Sequence, residues 1–498
     1  MRKLGMQRWT THARFVLRGS VLLALSVILT VCASARGSDR RSAPGGERKR
    51  PVFAWYMTSF YTYHGDPDAI AVAGYKRDIQ DAQASGVDGF ELYIENKRYI
   101  YDNTKNMFEA AKELHDADPS KPPFLLFLGP LAVPTYINQS FQGTSSNWLV
   151  YFMNAFASHP NYYSYQGKAV LGSFLGLTIN GKTNQQSEWV TYVFTPLHNQ
   201  GVDVFFVPTT FDTNDETTVD ANGHHTTTLT PWAQTHIGAL NYWTGNVPNI
   251  DIDANNAMAN VSLNNGKPYV ASVSGANYWS VNNSSSAGAY FEHFGGEGPA
   301  QEWQNAISKH PVFVIVTTWD DYTESYTTPV NPAAAPISTG YGIESLLKPH
   351  DGYAELMKYY AQWYRKGVQP AVTKDELIYF YRTHAKNLVA TNDKRQTPIF
   401  NPGSPDVTVP DDIFITTLLT APATLTVTSG DVVASYTLPS GVNFTRIPFN
   451  AGGQTFKVSR NGGTIILTSG EPILSTIEKY NFIPTTGFAY GGPLRAKR

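Results

Sequence analysis

Short apolar runs alternate with helical patterns along most of the chain, and this alternation constrains the fold more than any other feature. Runs rich in β-branched and aromatic residues are predicted as strands, and helix-favouring stretches follow them. The predicted strands are 52–57, 87–95, 123–129, 169–174, 203–211, 236–243, 268–275 and 312–318. Strands that alternate with helices form parallel sheets, and eight such units close into a (β/α)8 barrel. An open doubly wound sheet is the alternative, but no glycine-rich phosphate loop follows the first strand.

The eighth predicted strand ends abruptly in a group of acids and aromatic residues. Trp319, Asp320, Asp321, Tyr322 and Glu324 follow its last β-branched residue. In an α/β barrel the carboxyl ends of the strands carry the active-site loops, so these side chains are expected at that end. Trp319, Asp320 and Tyr322 are candidate contacts for a substrate there. Cleavage of a glycosidic bond needs one protonated and one ionised carboxyl group, and Asp321 and Glu324 are the candidate pair. The alternative is an acidic loop that caps the next helix.

Residues near the ends of four other predicted strands are candidate contacts for a substrate. Aromatic side chains combine a broad apolar face with polar groups, and carboxylates accept hydrogen bonds from hydroxyl groups. The candidates are Trp55 and Tyr56 on the first strand, Glu91 and Tyr93 on the second, Asp212 after the fifth, and Tyr242 and Trp243 on the sixth. Packing against the barrel rim is the alternative for the aromatic residues.

The sequence pattern changes after residue 390. Residues 391–410 contain four prolines among polar residues and are predicted as a linker. From 411 to 498 short alternating strands separated by glycine turns predict an all-β sandwich. The expected organisation is a barrel over 51–390 followed by a smaller C-terminal β-sandwich domain. Bracing the barrel is the expected role of this domain, and sugar binding is the alternative.

Residues 1–35 have the features of a secretory signal peptide. Basic residues precede an apolar run at 21–31, and Ala33-Ser34-Ala35 provides a cleavage site. The run is too short to cross a bilayer comfortably, so the protein is predicted to be secreted, either extracellular or periplasmic. Lipid attachment at Cys32 is the alternative. Residues 36–50 are predicted to be a disordered lead-in.

Composition excludes several classes of partner. The formal net charge is -2, so the chain has no basic surplus to hold nucleic acid. With one cysteine it has neither a disulfide nor a cysteine zinc site, and the acidic stretch 212–225 lacks the spacing of an EF-hand. The candidate carboxyl pair predicts a polysaccharide substrate, and from the composition we expect no cofactor, no metal, and no membrane partner after removal of the signal peptide. The oligomeric state is not predicted.

Several segments between residue 53 and the C-terminus match one known family. In the barrel they are FAWYM (53–57), DIQDAQASGVDGFELYI (78–94), GKPYVASVS (266–274), TTWDDYTESY (317–326), HDGYAELMKYY (350–360) and ELIYFYRTHAK (376–386). In these segments the chain resembles glycoside hydrolase family 71, the α-1,3-glucanases or mutanases, whose acidic motif is roughly W-N-D-Y-x-E-S. VSRNG (458–462) and KYNF (479–482) also resemble the C-terminal domain of that family.

The resemblance implies inverting endo-hydrolysis of α-1,3-glucan without a metal. Asp321 and Glu324 fall on the two catalytic acids of the family motif. Inversion needs the two carboxyl groups about 6.5–9.5 Å apart, so that a water molecule fits beside the sugar. We assign Glu324 as the general acid and Asp321 as the base, and the exchanged assignment is the alternative.

The chain departs from the family pattern at two positions. Asp320 stands where the family usually has Asn, which adds a carboxylate that raises the pKa of a neighbouring acid by repulsion. Leu175 stands where the family commonly has Glu. Because of these departures, hydrolysis of another α-linked glycan such as a mannan is one alternative function. A non-catalytic glycan-binding protein on the same barrel is another, although retention of both acids favours a hydrolase.

Overall fold

The structure is a computed structural model that describes residues 50–59, 72–131, 137–176, 185–276, 278–280, 288–329, 344–393, 395 and 397–492. The chain forms two compact units, Met1–Glu47 and Arg48–Arg498, and all described residues belong to the second. The predicted signal peptide and nearly all of the lead-in lie outside the described residues. None of the helices in these ranges combines the length and the apolar character that crossing a membrane requires.

Eight strands form the barrel path of the central sheet, and every ladder along this path is parallel. The strands are β1 (Val52–Tyr56), β2 (Gly89–Ile94), β3 (Leu125–Pro130), β5 (Lys168–Phe174), β6 (Val204–Thr210), β9 (Asn241–Tyr242), β10 (Val270–Ser274) and β13 (Phe313–Thr317). Nearly all of their residues are buried, because the barrel interior covers one face and helices cover the other. This double burial explains the continuous apolar runs in the sequence.

Helices follow each strand of the barrel. They are α1 (Val72–Ala84), α2 (Arg98–Ala117), α3 (Trp148–Phe156), α4 (Gln186–Trp189), α5 (Thr195–His198), α6 (Pro231–His236), α7 (Pro248–Asn264), α8 (Glu297–Ser308) and α9 (Asp351–Lys366). A π-helical turn, Val190–Phe194, joins α4 to α5. Asn147 caps α3 by accepting the backbone N–H groups of Leu149 and Val150. Gly367 ends α9 in the left-handed conformation, at φ 68°.

The strand order runs β10-β13-β1-β2-β3-β5-β6-β9, which leaves a seam between β9 and β10 without a backbone ladder. The side chain of Asn241 spans this seam. Its Nδ2 donates to Ser272 Oγ on β10 at 3.0 Å, and its Oδ1 accepts from Thr209 Oγ1 on β6 at 2.9 Å. A buried amide therefore links three strands where the ladder is interrupted.

The sixth predicted strand, 236–243, is wrong over most of its length. His236 is the last residue of α6, and only Asn241–Tyr242 form a strand. Thr230 accepts the backbone N–H of Ala233 at 3.2 Å, and Pro231 occupies the first helical turn. This cap and proline start a short helix ahead of the apolar run, which delays the strand.

The C-terminal part of the chain forms two four-stranded antiparallel sheets, with orders β21-β18-β16-β24 and β20-β19-β22-β23. Their strands are β16 (Glu376–Tyr381), β18 (Asp412–Leu419), β19 (Ala423–Ser429), β20 (Val432–Leu438), β21 (Gly441–Pro448), β22 (Gly452–Arg460), β23 (Gly463–Ile473) and β24 (Thr485–Tyr490). A separate hydrophobic core that includes Leu377, Leu425 and Phe456 lies between the sheets. The predicted (β/α)8 barrel with a β-sandwich is confirmed.

The first of these sheets also packs on the barrel. Phe380 of β16 belongs to the core of the barrel, and its ring centroid lies 4.7 Å from that of Tyr353 on α9. Strand β16 lies within 51–390, the residues that the sequence assigns to the barrel, yet it pairs with sandwich strands. The domain boundaries, including the 391–410 linker and the 411–498 module, stay a prediction.

Short strands complete the described structure. They are β4 (Ser164–Tyr165), β7 (Thr217–Val219), β8 (His225–Leu229), β11 (Tyr278–Ser280), β12 (Ala289–Phe291), β14 (Asp320–Asp321), β15 (Ser325–Tyr326) and β17 (Ile399–Phe400). Strand β17 lies in the predicted linker and pairs in parallel with β12. This part of the linker therefore has regular structure.

Replacing Asn241 with Ala is expected to destabilise the protein by about 1–3 kcal/mol, because it leaves Thr209 and Ser272 with unpaired buried hydroxyl groups. The midpoint of urea unfolding measures the change. Asn222→Ala, at an exposed turn, is the matched control and is expected to stay within about 0.5 kcal/mol of the parent. Equal midpoints for the two variants would show that Asn241 does not support the seam.

Candidate functional site

The acidic group predicted from the sequence lies on a tight hairpin directly after β13. Strands β14 and β15 pair antiparallel, with Asp320 opposite Tyr326 and Asp321 opposite Ser325. The Glu324 backbone N–H donates to Asp321 O at 3.1 Å, which closes the turn between them. Both candidate acids therefore lie on one turn at the carboxyl end of the barrel, as predicted.

Backbone and threonine hydrogen bonds hold this hairpin against the barrel. The N–H of Trp319 donates to the carbonyl of Trp55 at 2.8 Å, which ties the hairpin to β1. Thr327 Oγ1 donates to Thr318 O at 2.7 Å, and Thr328 Oγ1 donates to Trp319 O at 2.6 Å. The run of threonines around the acids thus supplies the bonds that fix their backbone.

Asp321 is almost fully buried, with 7% of its surface exposed. Its Oδ1 accepts hydrogen bonds from Thr323 Oγ1 at 2.7 Å and from Thr323 N at 3.2 Å. Burial raises the pKa of Asp321, while these two hydrogen bonds lower it because they stabilise the ionised form. The net direction is upward, so this carboxyl titrates above the usual range of an aspartate.

Glu324 is only partly buried, and its backbone is held on both sides. Its carbonyl accepts the backbone N–H of Trp279 at 2.9 Å, which links the hairpin to β11. The two acids thus differ in environment, since Asp321 is enclosed and Glu324 reaches the surface. Different environments allow two carboxyl groups to hold different protonation states.

Strand β2 brings a second polar group to the same end of the barrel. Tyr93 OH donates to Glu95 Oε1, and Glu95 Oε2 lies 2.8 Å from Lys97 Nζ. Burial raises the pKa of the Tyr93 hydroxyl, with smaller contributions from the charges of Glu95 and Asp321. Glu95 was not among the predicted site residues, although its spacing from Glu91 and Tyr93 places it on their face of the strand.

Glu91 lies deeper in the barrel, beneath this rim. Its carboxyl group packs against Gly129 and Gly172, where a side chain would collide with it. Neither carboxyl oxygen has a hydrogen-bond partner among the described residues, and burial raises the pKa of Glu91 well above its usual value. Glu91 is therefore a buried group whose ionisation is disfavoured, and its placement does not expose it to a ligand.

Four aromatic side chains from different strands meet above Glu91. The rings of Trp55 and Trp243 are perpendicular at a centroid distance of 5.3 Å, and Phe174 lies 4.7 Å from Trp243. Tyr93 completes the group at 6.3 Å from Trp55. We call Trp55, Tyr93, Phe174 and Trp243 the aromatic floor. Phe174 was not among the predicted contacts, although it ends β5.

The other predicted aromatic residues face the helices. Tyr56 OH donates to Asp78 Oδ2 on α1 at 2.6 Å, and the ring of Trp319 packs against Phe90 at 5.8 Å. Tyr242 OH accepts from Asn246 Nδ2 at 3.4 Å, on the loop before α7. Their contacts support the barrel wall, because neighbouring residues of a strand point to opposite faces.

The side chains of Asp320 and Tyr322 are also buried behind the hairpin, against the barrel wall. Asp320 Oδ1 accepts the backbone N–H of Met57 at 2.7 Å, and Asp320 is 1% exposed. Burial raises the pKa of Asp320 well above its usual value, and the charges of Asp78 and Asp321 raise it further. Burial likewise raises the pKa of Tyr322, with Asp320 and Asp78 contributing. Asp320 therefore supports the hairpin as a neutral acid.

Asp212 lies in an exposed turn after β6. Its Oδ1 accepts the backbone N–H of Asn214 at 2.8 Å, so the carboxylate stabilises a local turn. The structure thus brings together Asp321, Glu324, Tyr93, Trp55 and Trp243 at the end of the barrel. It places Glu91 below them and Asp212 on the surface.

Replacing Asp320 with Asn is expected to stabilise the protein at neutral pH while leaving its stability near pH 4 almost unchanged. The folded pKa of Asp320 lies above the unfolded value, so the folded state binds the proton more tightly. Parent stability is therefore lost as pH rises from about 4 to the folded pKa, by up to about 1.4 kcal/mol per pH unit. Asn keeps the acceptor for Met57 and does not titrate.

Urea unfolding at a series of pH values measures this effect. Asp253→Asn, at an exposed position of α7, is the control and should follow the parent. If the free energies of unfolding of D320N and the parent differ by the same amount at every pH, the pKa of Asp320 is not raised in the folded state and the interpretation is wrong.

The model of glycosyl hydrolase family 71 matches residues 48–493. Glucan endo-1,3-alpha-glucosidase agn1 of Schizosaccharomyces pombe is 26% identical over 455 residues, covering 86% of this chain and 93% of that protein. A mutanase of Penicillium rubens is 26% identical over 460 residues, covering 89% of each chain. Among solved structures, the GH99 endo-alpha-mannosidase from Bacteroides thetaiotaomicron has a TM-score of 0.44 at 12% identity, covering 64% of this chain and 98% of that one.

Proposed function

The chain belongs to glycosyl hydrolase family 71, and on this premise we propose that it hydrolyses α-1,3-glucan with Asp321 and Glu324 as the catalytic acids. As a member of this family the protein is a glycoside hydrolase. The substrate is inferred from the relatives, which are named as a glucan endo-1,3-alpha-glucosidase and a mutanase.

The observation that supports the catalytic pair is the hairpin after β13. It places two carboxyl groups on one turn at the carboxyl end of the barrel, where α/β-barrel enzymes carry out their chemistry. Hydrolysis with inversion requires one carboxyl to protonate the leaving oxygen and the other to activate water. Glu324 and Asp321 are the only acids of the hairpin with these two distinct environments, because Asp320 faces the wall behind it.

We assign Glu324 as the proton donor and Asp321 as the base. In the base role Asp321 must be ionised, so that it accepts a proton from the water molecule that attacks the sugar. Burial raises the pKa of Asp321 and opposes this ionisation, whereas the two hydrogen bonds from Thr323 favour it. In the exchanged assignment the raised pKa of Asp321 serves a proton donor, and Glu324, which reaches the surface, stays ionised.

The aromatic floor and the Tyr93–Glu95–Lys97 group are proposed to bind the sugar chain. Aromatic rings provide an apolar surface for the face of a pyranose, and Glu95 and Lys97 provide an acceptor and a donor for its hydroxyl groups. Trp55, Tyr93 and Trp243 keep the substrate-binding role predicted from the sequence. The polymer is proposed to meet the enzyme outside the cell, after removal of residues 1–35.

Asp321→Asn and Glu324→Gln are each expected to lower turnover of α-1,3-glucan by about 10²–10⁴-fold, because each removes one proton-transfer group. Release of reducing sugar from insoluble α-1,3-glucan measures the loss. Asp253→Asn is the control for expression and handling. Near-normal turnover in either catalytic variant, with a folded protein by circular dichroism, would contradict the pair.

A panel of other glucans and mannans, assayed beside α-1,3-glucan, tests the substrate. Cleavage of the α-1,3-linked polymer alone supports the proposal. Binding of the polymer without any cleavage would favour the non-catalytic alternative.

Thr323→Val is expected to move the acid limb of the pH profile of kcat/KM to higher pH. This variant removes the hydroxyl donor to Asp321 Oδ1 but keeps the backbone N–H donor, so the pKa of Asp321 rises further. A base must be ionised, so activity then disappears at a higher pH as the solution is acidified. Thr323→Ser restores the hydroxyl group and is the matched control. An alkaline limb that moves while the acid limb stays fixed would show that Asp321 is the proton donor.

A further inference from the structure

Three titratable side chains meet in the barrel wall outside the hairpin. Asp251 lies in the first turn of α7, His293 follows β12, and Glu302 lies on α8. One donor atom from each lies within 4.8 Å of the other two. Each residue is at most 2% exposed, and all three surround Ser274 at the end of β10.

The hydrogen bonds of His293 leave its Nε2 lone pair facing the two acids. His293 Nδ1 lies 3.2 Å from the carbonyl oxygen of Phe291. A carbonyl accepts only, so Nδ1 carries the hydrogen and Nε2 is the unprotonated nitrogen. Nε2 lies 3.2 Å from Ser274 Oγ and 3.9 Å from Glu302 Oε1. Metal-binding histidines are usually oriented in this way, by a bond from the other ring nitrogen.

Glu302 has a buried oxygen with no hydrogen-bond partner among the described residues. Its Oε2 accepts the backbone N–H of Ser274 at 2.6 Å, while Oε1 is the unpaired atom on the side of His293. Leaving a charged oxygen buried without a partner is costly, so such an atom indicates a missing ligand or a bound proton.

Asp251 is held in place by backbone groups. Its carboxylate accepts the N–H of Gly245 at 2.9 Å and the N–H of Asn246 at 3.0 Å, and Ser274 Oγ lies 3.3 Å away. Within the described ranges, neither Asp251 nor Glu302 forms an ion pair with a lysine or an arginine. Two acids therefore share a buried space that lacks a compensating cation.

The pKa values of these groups reflect the same environment. Burial raises the pKa of Asp251 to about 7 and raises that of Glu302 well above its usual value, and the charge of Asp251 raises the Glu302 pKa further. Burial lowers the pKa of His293 to about 4, so the imidazole is neutral at physiological pH. The neutral imidazole can bind a metal ion directly, whereas the two carboxyl groups must release their protons when the ion binds.

We propose that Asp251, His293 and Glu302 bind a divalent first-row transition metal ion, with zinc as the ion of choice. One imidazole nitrogen and two carboxylate oxygens suit zinc, whereas calcium prefers oxygen ligands alone. Bonds of about 2.0–2.2 Å place tetrahedral donors about 3.4 Å apart, so the donors move inward by about 1 Å on binding. Ser274 Oγ or a water molecule supplies the fourth ligand.

The metal would have a structural role, because the site lies beside the seam of the barrel. Asp251 holds the loop that follows β9 through Gly245 and Asn246, and Glu302 holds Ser274 of β10. These are the two strands between which the backbone ladder is missing. A bound ion would join the two sides of the seam, and it is separate from the proposed catalytic acids.

The test is zinc binding by the full-length protein. The metal content after incubation with zinc and desalting is measured by mass spectrometry, and thermal unfolding is recorded with zinc, with calcium and with EDTA. We expect about one zinc per chain and a rise of several degrees in Tm at zinc concentrations far above Kd, with no rise in calcium. A parent protein that retains no zinc and shows no zinc-dependent rise overturns the proposal without recourse to any variant.

Glu302→Gln and Glu216→Gln separate this site from adventitious binding by surface histidines. Both remove a buried carboxyl that has an unpaired oxygen, but Glu216 lies after β6, outside the cluster. We expect E302Q to lose the bound zinc and the rise in Tm, and E216Q to keep both. Equal zinc content and equal rises in the two variants would overturn the proposal.

Discussion

The hydrogen bond from Trp319 N to Trp55 O is the contact on which the candidate site depends. It joins the first and last strands of the barrel at the point where the acidic hairpin begins. Beyond this bond, threonine hydroxyl groups donate to the carbonyls of Thr318 and Trp319. These bonds hold the backbone of the turn from which the side chains of Asp321 and Glu324 project. The placement of the acids therefore follows from barrel closure rather than from contacts between the acids.

The opposite side of the barrel is less regular. Between β9 and β10 side chains replace the backbone ladder. Asn241 joins the two strands, and Asp251 of the Asp251–His293–Glu302 cluster joins the loop after β9 to Ser274. The β-sandwich packs through Phe380 on α9, the α-helix that follows the acidic hairpin in the chain. Three kinds of contact therefore support the site: the ladder between β1 and β13, the buried polar side chains at the seam, and the apolar contact between the β-sandwich and α9.

Much of the fold was predictable because the barrel strands are buried on both faces, which gives continuous apolar runs such as 312–318. The exception was 236–243, where Thr230 and Pro231 start a helix that the apolar run conceals. At the site, the acidic hairpin was predictable from its position after a strand. Adjacent pairs such as Trp55 and Tyr56 were both predicted to contact substrate, but strand alternation sends only Trp55 into the barrel. Alternation along the strand places Glu95 on the face of Glu91 and Tyr93, but its pairing with Lys97, which lies beyond the strand, is visible only in the structure.

The central claim is that two carboxyl groups on one hairpin hydrolyse an α-1,3-linked glucan with inversion. The anomeric configuration of the first product, followed by proton NMR during hydrolysis of an α-1,3-glucan oligosaccharide, tests this claim most directly. Inversion predicts that the β-anomer forms first and then mutarotates to the equilibrium mixture. Initial formation of the α-anomer would show retention, and it would contradict the assignment of Asp321 and Glu324 as an acid and a base that act through water.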